Sequence, residues 1–211
     1  MHTRPSASRL FRPLLIALLV MATVASAPAA AAEPPVPTAV VAVGVYDYAG
    51  VPRDQMERAM GYVSAWFAAA GTVLEWVDRR DCDPAVHWPV ARHCTLLIDL
   101  ALIIPSALTA DTLAPSPNVI GLAPGSPSER GRIAYAFYHR MLGVPADRLA
   151  RWMAVVTAHE LGHLLLPHGA HAAEGLMRGE WHAAEVWRLE VEGLGFTLHQ
   201  AQQIRQRLGA D

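Results

Sequence analysis

Residues 157–171 read TAHELGHLLLPHGAH. His159 and His163 are four apart, so on an α-helix they project from one face, one turn above the other. Two imidazole nitrogens placed in this way can both reach a zinc ion at about 2.0–2.1 Å. Glu160 lies next to the first histidine, where its carboxylate can contact a metal-held water without being a ligand itself. In such a site zinc lowers the pKa of the water towards about 7, and the glutamate takes its proton as hydroxide attacks a carbonyl. The flanking residues are strongly apolar, and two histidines and a glutamate buried among them need a compensating partner.

Working outward, Pro145 opens this helix, Asp147 sits favourably in its first turn against the helix dipole, and the apolar positions Leu149, Met153 and Val156 carry it to about Leu165. Pro167 stops it. A catalytic zinc takes three protein ligands and keeps one position open. His168 and His171 are the near candidates for the third. Glu185 within the helical-looking stretch Ala183 to Leu189, and Glu190 directly after it, are a more distant alternative for which a solvated helix face is the plainer reading. Tyr138, His139, Arg178 and His182 are possible donors to a developing oxyanion by residue type alone, and none is assigned that role.

The stretch HELGHLLLPHGAH, followed by Glu174-Gly175-Leu176-Met177, resembles the metzincin group of zinc metallopeptidases within the zincin superfamily. Their pattern is H-E-x-x-H-x-x-G-x-x-H with a methionine-containing turn beneath the metal. It is similar also to uncharacterised exported bacterial proteins of the form HELGHLLLG…H…GLM. The resemblance implies His159, His163 and His171 as zinc ligands, Glu160 as the base and Met177 as the turn methionine. It implies peptide bonds as the substrate and an edge strand lining the cleft, for which Ile133 to Arg140 is the local candidate. The chain departs from the pattern at Leu166, where the family has glycine, and its spacer to His171 is two residues longer. Pro167 and Gly169 offer another way to turn the chain out of the helix.

The remainder reads as one α+β domain. Thr38 to Tyr48 is rich in β-branched residues and predicts a strand. Arg53 to Ala70 has helical apolar spacing, closed by Gly71. Thr72 to Val77 alternates as a second strand, and the very apolar Thr95 to Ile104 suits the middle of a sheet. Prolines at 105, 115, 117, 124 and 127 predict mostly loop, with a short strand within Asn118 to Leu122. Ile133 to Arg140 reads as a strand at an edge, and Thr197 to Leu208 as a last helix packed across the sheet. The expected architecture is a mixed β-sheet with a backing helix, the HExxH helix and a C-terminal helix.

At the start, Arg4, Arg9 and Arg12 precede Leu14 to Ala27, apolar but for Thr23 and Ser26, and the small-residue run Ala30-Ala31-Ala32. This predicts a secretory signal peptide over residues 1–32 and a catalytic domain over 33–211, secreted or periplasmic, with no membrane attachment after cleavage. Cys82 and Cys94 then read as one structural disulfide. The formal charge of −2, without a single lysine and with no clustered basic face, argues against nucleic acid as a partner. A monomeric enzyme acting on a peptide or protein substrate is expected. The rival expectation is a non-catalytic zinc-binding or interaction module on the same scaffold, and the intact Glu160 argues against it.

Overall fold

Buried β-branched residues open the sheet. The computed structural model describes residues 39–82, 99–114, 116–126, 128–129, 131–181 and 193–209. All lie in one unit, Pro34–Asp211; the other unit of the chain, Met1–Glu33, is outside the described residues, and so is the expected leader. Strand β1 (Ala39–Asp47) is followed by helix α1 (Arg53–Ala69) and strand β2 (Thr72–Asp78), then by β3 (Leu100–Ile104) and α2 (Ala107–Leu113). A two-residue β4 (Gly121–Leu122), β5 (Ile133–Ala136), the long α3 (Ala146–Leu165) and α4 (Leu198–Leu208) complete it. The result is α+β, with a mixed five-stranded sheet in the order β2-β1-β3-β5-β4. β1 pairs in parallel with β2 and β3, and β3 with β5, while β4 runs antiparallel to β5.

Side chains of a strand alternate between faces, and one face of this sheet is the core. Val41, Val43 and Val45 of β1, Leu102 and Ile104 of β3, and Ala134 and Ala136 of β5 pack there with Met56, Val63 and Phe67 of α1 and Met153, Leu161 and Leu164 of α3. α1 lies over β2, α3 over β5, β3 and β4, and the two helices pack against each other. α3 is buried on most of its circumference, from Leu149 to Leu165, as befits a helix apolar nearly all round. Tyr135 points to the opposite face, where a second, small cluster of Ala110, Ala114 and Phe137 gathers Val119, Leu122 and Tyr135. Among the described residues no helix is long and apolar enough to cross a membrane.

Four expectations need correction. The proline-rich stretch after β3 contains a helix: Pro105 and Pro115 bracket α2, and Ser106 caps it by accepting from the Thr109 N–H at 3.4 Å. Prolines next to a helix end are boundaries and say little about the residues between them. The strand expected over Ile133 to Arg140 ends at Ala136, and Tyr138–Met141 is a 3₁₀ turn. Nor is that strand the edge, because β4 pairs outside it. Lastly, α4 packs against α3 and the end of α1, where Arg205 donates to the Ala70 carbonyl at 3.4 Å, more than across the sheet. Its start is as the sequence suggests: Thr197 and Gln200 form a reciprocal capping box. Cys82 is in disulfide form; Cys94 and the stretch Ala183 to Leu189 lie outside the described residues.

Candidate metal centre

α3 delivers His159, Glu160 and His163 on consecutive turns at the face turned towards β4. Beyond its end the chain turns sharply. Leu166 is extended and its N–H still bonds the Gly162 carbonyl at 2.8 Å. Gly169 takes a positive φ of 75°, a conformation glycine adopts without steric cost. The His171 N–H then reaches the Gly169 carbonyl at 2.7 Å. This short reversal is what brings the third imidazole back over the helix.

The three rings converge. Nε2 of His163 lies 3.0 Å from Nε2 of His159 and 3.1 Å from Nε2 of His171. One ligand atom from each lies within 4.8 Å of the others. Nitrogens at about 2.0–2.1 Å from a tetrahedral ion stand about 3.3 Å apart, so the cluster needs only a slight opening to hold one. Its hydrogen bonding points the same way. His159 Nδ1–H donates to the Leu176 carbonyl at 2.8 Å, which leaves Nε2 as a lone pair. His163 Nε2 faces two other ring nitrogens and carries at most one proton, so the rings cannot satisfy one another. A cation takes all three lone pairs at once.

Charge is arranged to suit. Burial holds His159 below its ordinary pKa. Burial, helped by the neighbouring His159, His171 and His168, lowers His163 to about 4. Both are therefore neutral lone-pair donors at physiological pH. Burial alone pushes the Glu160 carboxyl up to about 8; a positive charge placed nearby works in the opposite direction and favours the carboxylate.

The turn after His171 supports the rings from below. The Ala172 N–H donates to the Met177 carbonyl at 2.8 Å, and the Leu176 N–H to the Gly195 carbonyl at 3.0 Å. Leu176 and Met177 are wholly buried. Met177 presses on the ligand helix at Gly162, where an added Cβ would lie 2.5 Å from its sulfur. So the residue between the two helix histidines is glycine for a packing reason.

A cleft of about 920 Å³ runs past the histidines. One wall is the segment 118–126, which includes β4, the floor is α3 from Trp152 to His163, and the far wall is built from residues 168–171 and 178–181. Gly121 and Ala136 are a cross-strand pair on the α3 face of the sheet. Both are small, and α3 comes close enough that a Cβ on Gly121 would stand 2.5 Å from Glu160 Oε1.

A search of protein-family models and of curated proteins finds no match to this chain.

Of the residues singled out in the sequence, His159, His163 and His171 converge, Glu160 lines the same cleft, and Met177 packs on their helix at Gly162. His168 is exposed and lines the cleft without joining the three-histidine group. Glu185, Glu190 and His182 fall outside the described residues. Tyr138 is spent on a buried hydrogen bond to Gln55 Oε1 at 2.8 Å, and His139 faces Asp111 at 3.5 Å. Arg178 lines the cleft with its guanidinium over Trp181, 5.1 Å from the ring centre. Sequence reasoning missed Gly121 and the Leu176 carbonyl. A glycine inside a short strand is a recognised sign of close approach and marks the first; a backbone carbonyl has no side-chain signature and nothing marks the second.

Proposed function

We propose that this chain is an exported zinc metallopeptidase on a zincin-type scaffold, hydrolysing peptide bonds. The observation that carries the reading is the convergence of three imidazoles in an open cleft that the Glu160 carboxyl also lines and whose rim, among the described residues, is a sheet edge. Three neutral nitrogen ligands with a position left open suit zinc by ligand type and geometry. Zinc bound there supplies Lewis acidity, making water more acidic and a carbonyl more electrophilic.

The chain's own groups do the rest. Glu160 takes a proton from the attacking water on a carboxylate oxygen and returns it to the leaving amine nitrogen, so that water adds across the C–N bond and no proton is left over. The Leu176 carbonyl fixes the His159 tautomer and ring angle, as a hydrogen-bonded partner of a ligand does in metal sites generally. β4, with one side free of any described strand, offers backbone groups to an extended peptide and lays its scissile bond beside Glu160.

The test is zinc by elemental analysis, together with hydrolysis of a peptide library, on the protein and on its Glu160→Gln and His171→Ala variants. One zinc per chain is expected in the wild type and in Glu160→Gln. Removing the base is expected to lower kcat by about 10²–10⁴-fold, and His171→Ala to lose both metal and activity. A folded, metal-supplied wild type that holds no zinc would falsify the reading. Stoichiometric zinc with no hydrolysis of any peptide would move the chain to the non-catalytic zinc module.

A further inference from the structure

Behind the rim of the cleft stands a side chain that takes no part in the chemistry above and bonds the backbone leading into β4. Arg140 stands in the 3₁₀ turn Tyr138–Met141, directly after β5, and its side chain is only 5 % exposed. Its guanidinium lies over the Phe137 ring at 4.8 Å, and Nη1 and Nη2 together face five oxygen acceptors, the two N–H bonds of Nη2 being shared among three of them. Nη1 reaches the carbonyls of Ser116 at 2.9 Å and Val119 at 2.6 Å. Nη2 reaches those of Ala110 at 3.3 Å and Ala114 at 2.6 Å, and Asp111 Oδ1 at 2.8 Å.

These acceptors are not scattered. Ala110 lies in the last turn of α2 and Ala114 is its C-cap; the Ala110 carbonyl also accepts from the Ala114 N–H at 2.9 Å, and the helix dipole favours a cation at this end. Ser116 and Val119 belong to the connection that leads from α2 into β4. β4 itself is two residues long, and among the described residues its one strand partner is β5, helped by the Phe137 N–H to Ile120 carbonyl bond at 3.0 Å. A pair of residues cannot hold its own register by pairing alone. The planar fork of arginine, always charged, can bind several carbonyls in fixed directions where an ammonium acts as a point charge.

We infer that Arg140 is the positioning residue of the substrate-binding rim: by gathering the carbonyls of the α2–β4 connection it sets the place and register at which β4 meets an extended peptide. This rests on the peptidase reading for its kinetic consequence and on the hydrogen-bond geometry alone for its structural one. Arg140 lies on the far side of the sheet's edge from the histidines and touches none of them in the contacts above. Its removal should therefore weaken peptide binding and leave the metal and the base as they were.

The experiment uses the full chain and its Arg140→Gln and Arg140→Lys variants, with zinc content, peptide kinetics and amide hydrogen exchange measured on each. The expected result for Arg140→Gln is KM raised about 10-fold with kcat within about 2-fold, the pattern of lost uniform binding. Zinc should stay at the wild-type level, Arg140→Lys should fall between, and amides of residues 118–122 should exchange faster while those of α3 do not. If Arg140→Gln does not fold, Arg140→Lys carries the same readouts. A parallel loss of kcat and zinc, or unchanged exchange over 118–122, overturns the inference. Should the wild type cleave no peptide, the peptidase reading fails by itself, and the exchange measurement still decides whether Arg140 holds the rim.

Discussion

The two long sides of the cleft are built by opposite means. The floor is α3, twenty residues packed into the core over most of their surface, where each large apolar side chain contributes about 1.5–3 kcal/mol by leaving water. The rim is β4, two residues paired with β5 and reached through a connection whose carbonyls accept hydrogen bonds from one arginine. Two of the three clustered rings and the Glu160 carboxyl stand on the first. In the proposed reading, the groups that meet a variable peptide stand on the second. A centre needing fixed ligand angles gains from close packing, whereas a docking edge gains from polar contacts that can be remade.

The contrast can be broken most forcefully at the floor. Leu161, wholly buried between Glu160 and Gly162, should cost about 2–5 kcal/mol when cut back to alanine. A urea titration reads this directly; a loss under about 1 kcal/mol would mean that α3 is packed far more loosely than its burial implies.

Next in size is the point where floor and rim touch. Gly121→Ala puts a methyl group against the Glu160 carboxylate and should lower kcat by about 10–100-fold through displacement of the base. Zinc content and urea midpoint should hardly move. Wild-type turnover in that variant would show that the carboxylate has room to spare.

A third test sharpens the contrast through protons. In the metal-free chain, burial holds His159 and His163 below the unfolded value of about 6.5 and Glu160 above its own of about 4.5. Between pH 8 and 6.5 it is the folded state that binds the extra proton, on Glu160, so stability rises as the pH falls. Just below 6.5 the unfolded state takes up its histidine protons while burial withholds them from His159 and His163 in the folded state, so stability falls again. Chelator-treated protein should thus be most resistant to urea near pH 6.5. A midpoint climbing steadily from 6.5 to 8 would argue that Glu160 is well hydrated.

The smallest effect is expected at His168. It is exposed and apart from the three-ring cluster, so His168→Ala should keep its zinc and alter kcat/KM by no more than about 3-fold. Loss of the metal there would reassign the third ligand.

What was legible from sequence follows from what carries a period. β1, α1, β2 and α3 each repeat apolar residues over two turns or several alternations, and the folded elements lie within a residue or two of the expected bounds. β4 has two residues and no period to read. α2 has seven, between prolines that look like loop. The two helix histidines and Glu160 were fixed by spacing within a single element. His171 came only with the resemblance, the residues alone leaving His168 as an equal candidate, whereas Gly121 meets Glu160 across thirty-nine positions of sequence, a distance at which no local pattern reports contact. Arg140 was hidden for another reason: it looked like the tail of a strand, and its partners are backbone carbonyls that leave no mark on the residues bearing them.

One feature of the three-histidine cluster reaches beyond equilibrium. Two of its rings ride on a packed helix, and the third hangs from a short exposed reversal closed by the His171 to Gly169 hydrogen bond. A chelate built in this way has two fixed arms and one hinged arm. Metal should enter and leave by way of the hinged one, with half-times set by opening of the 167–171 turn and insensitive to mutations in the core of α3.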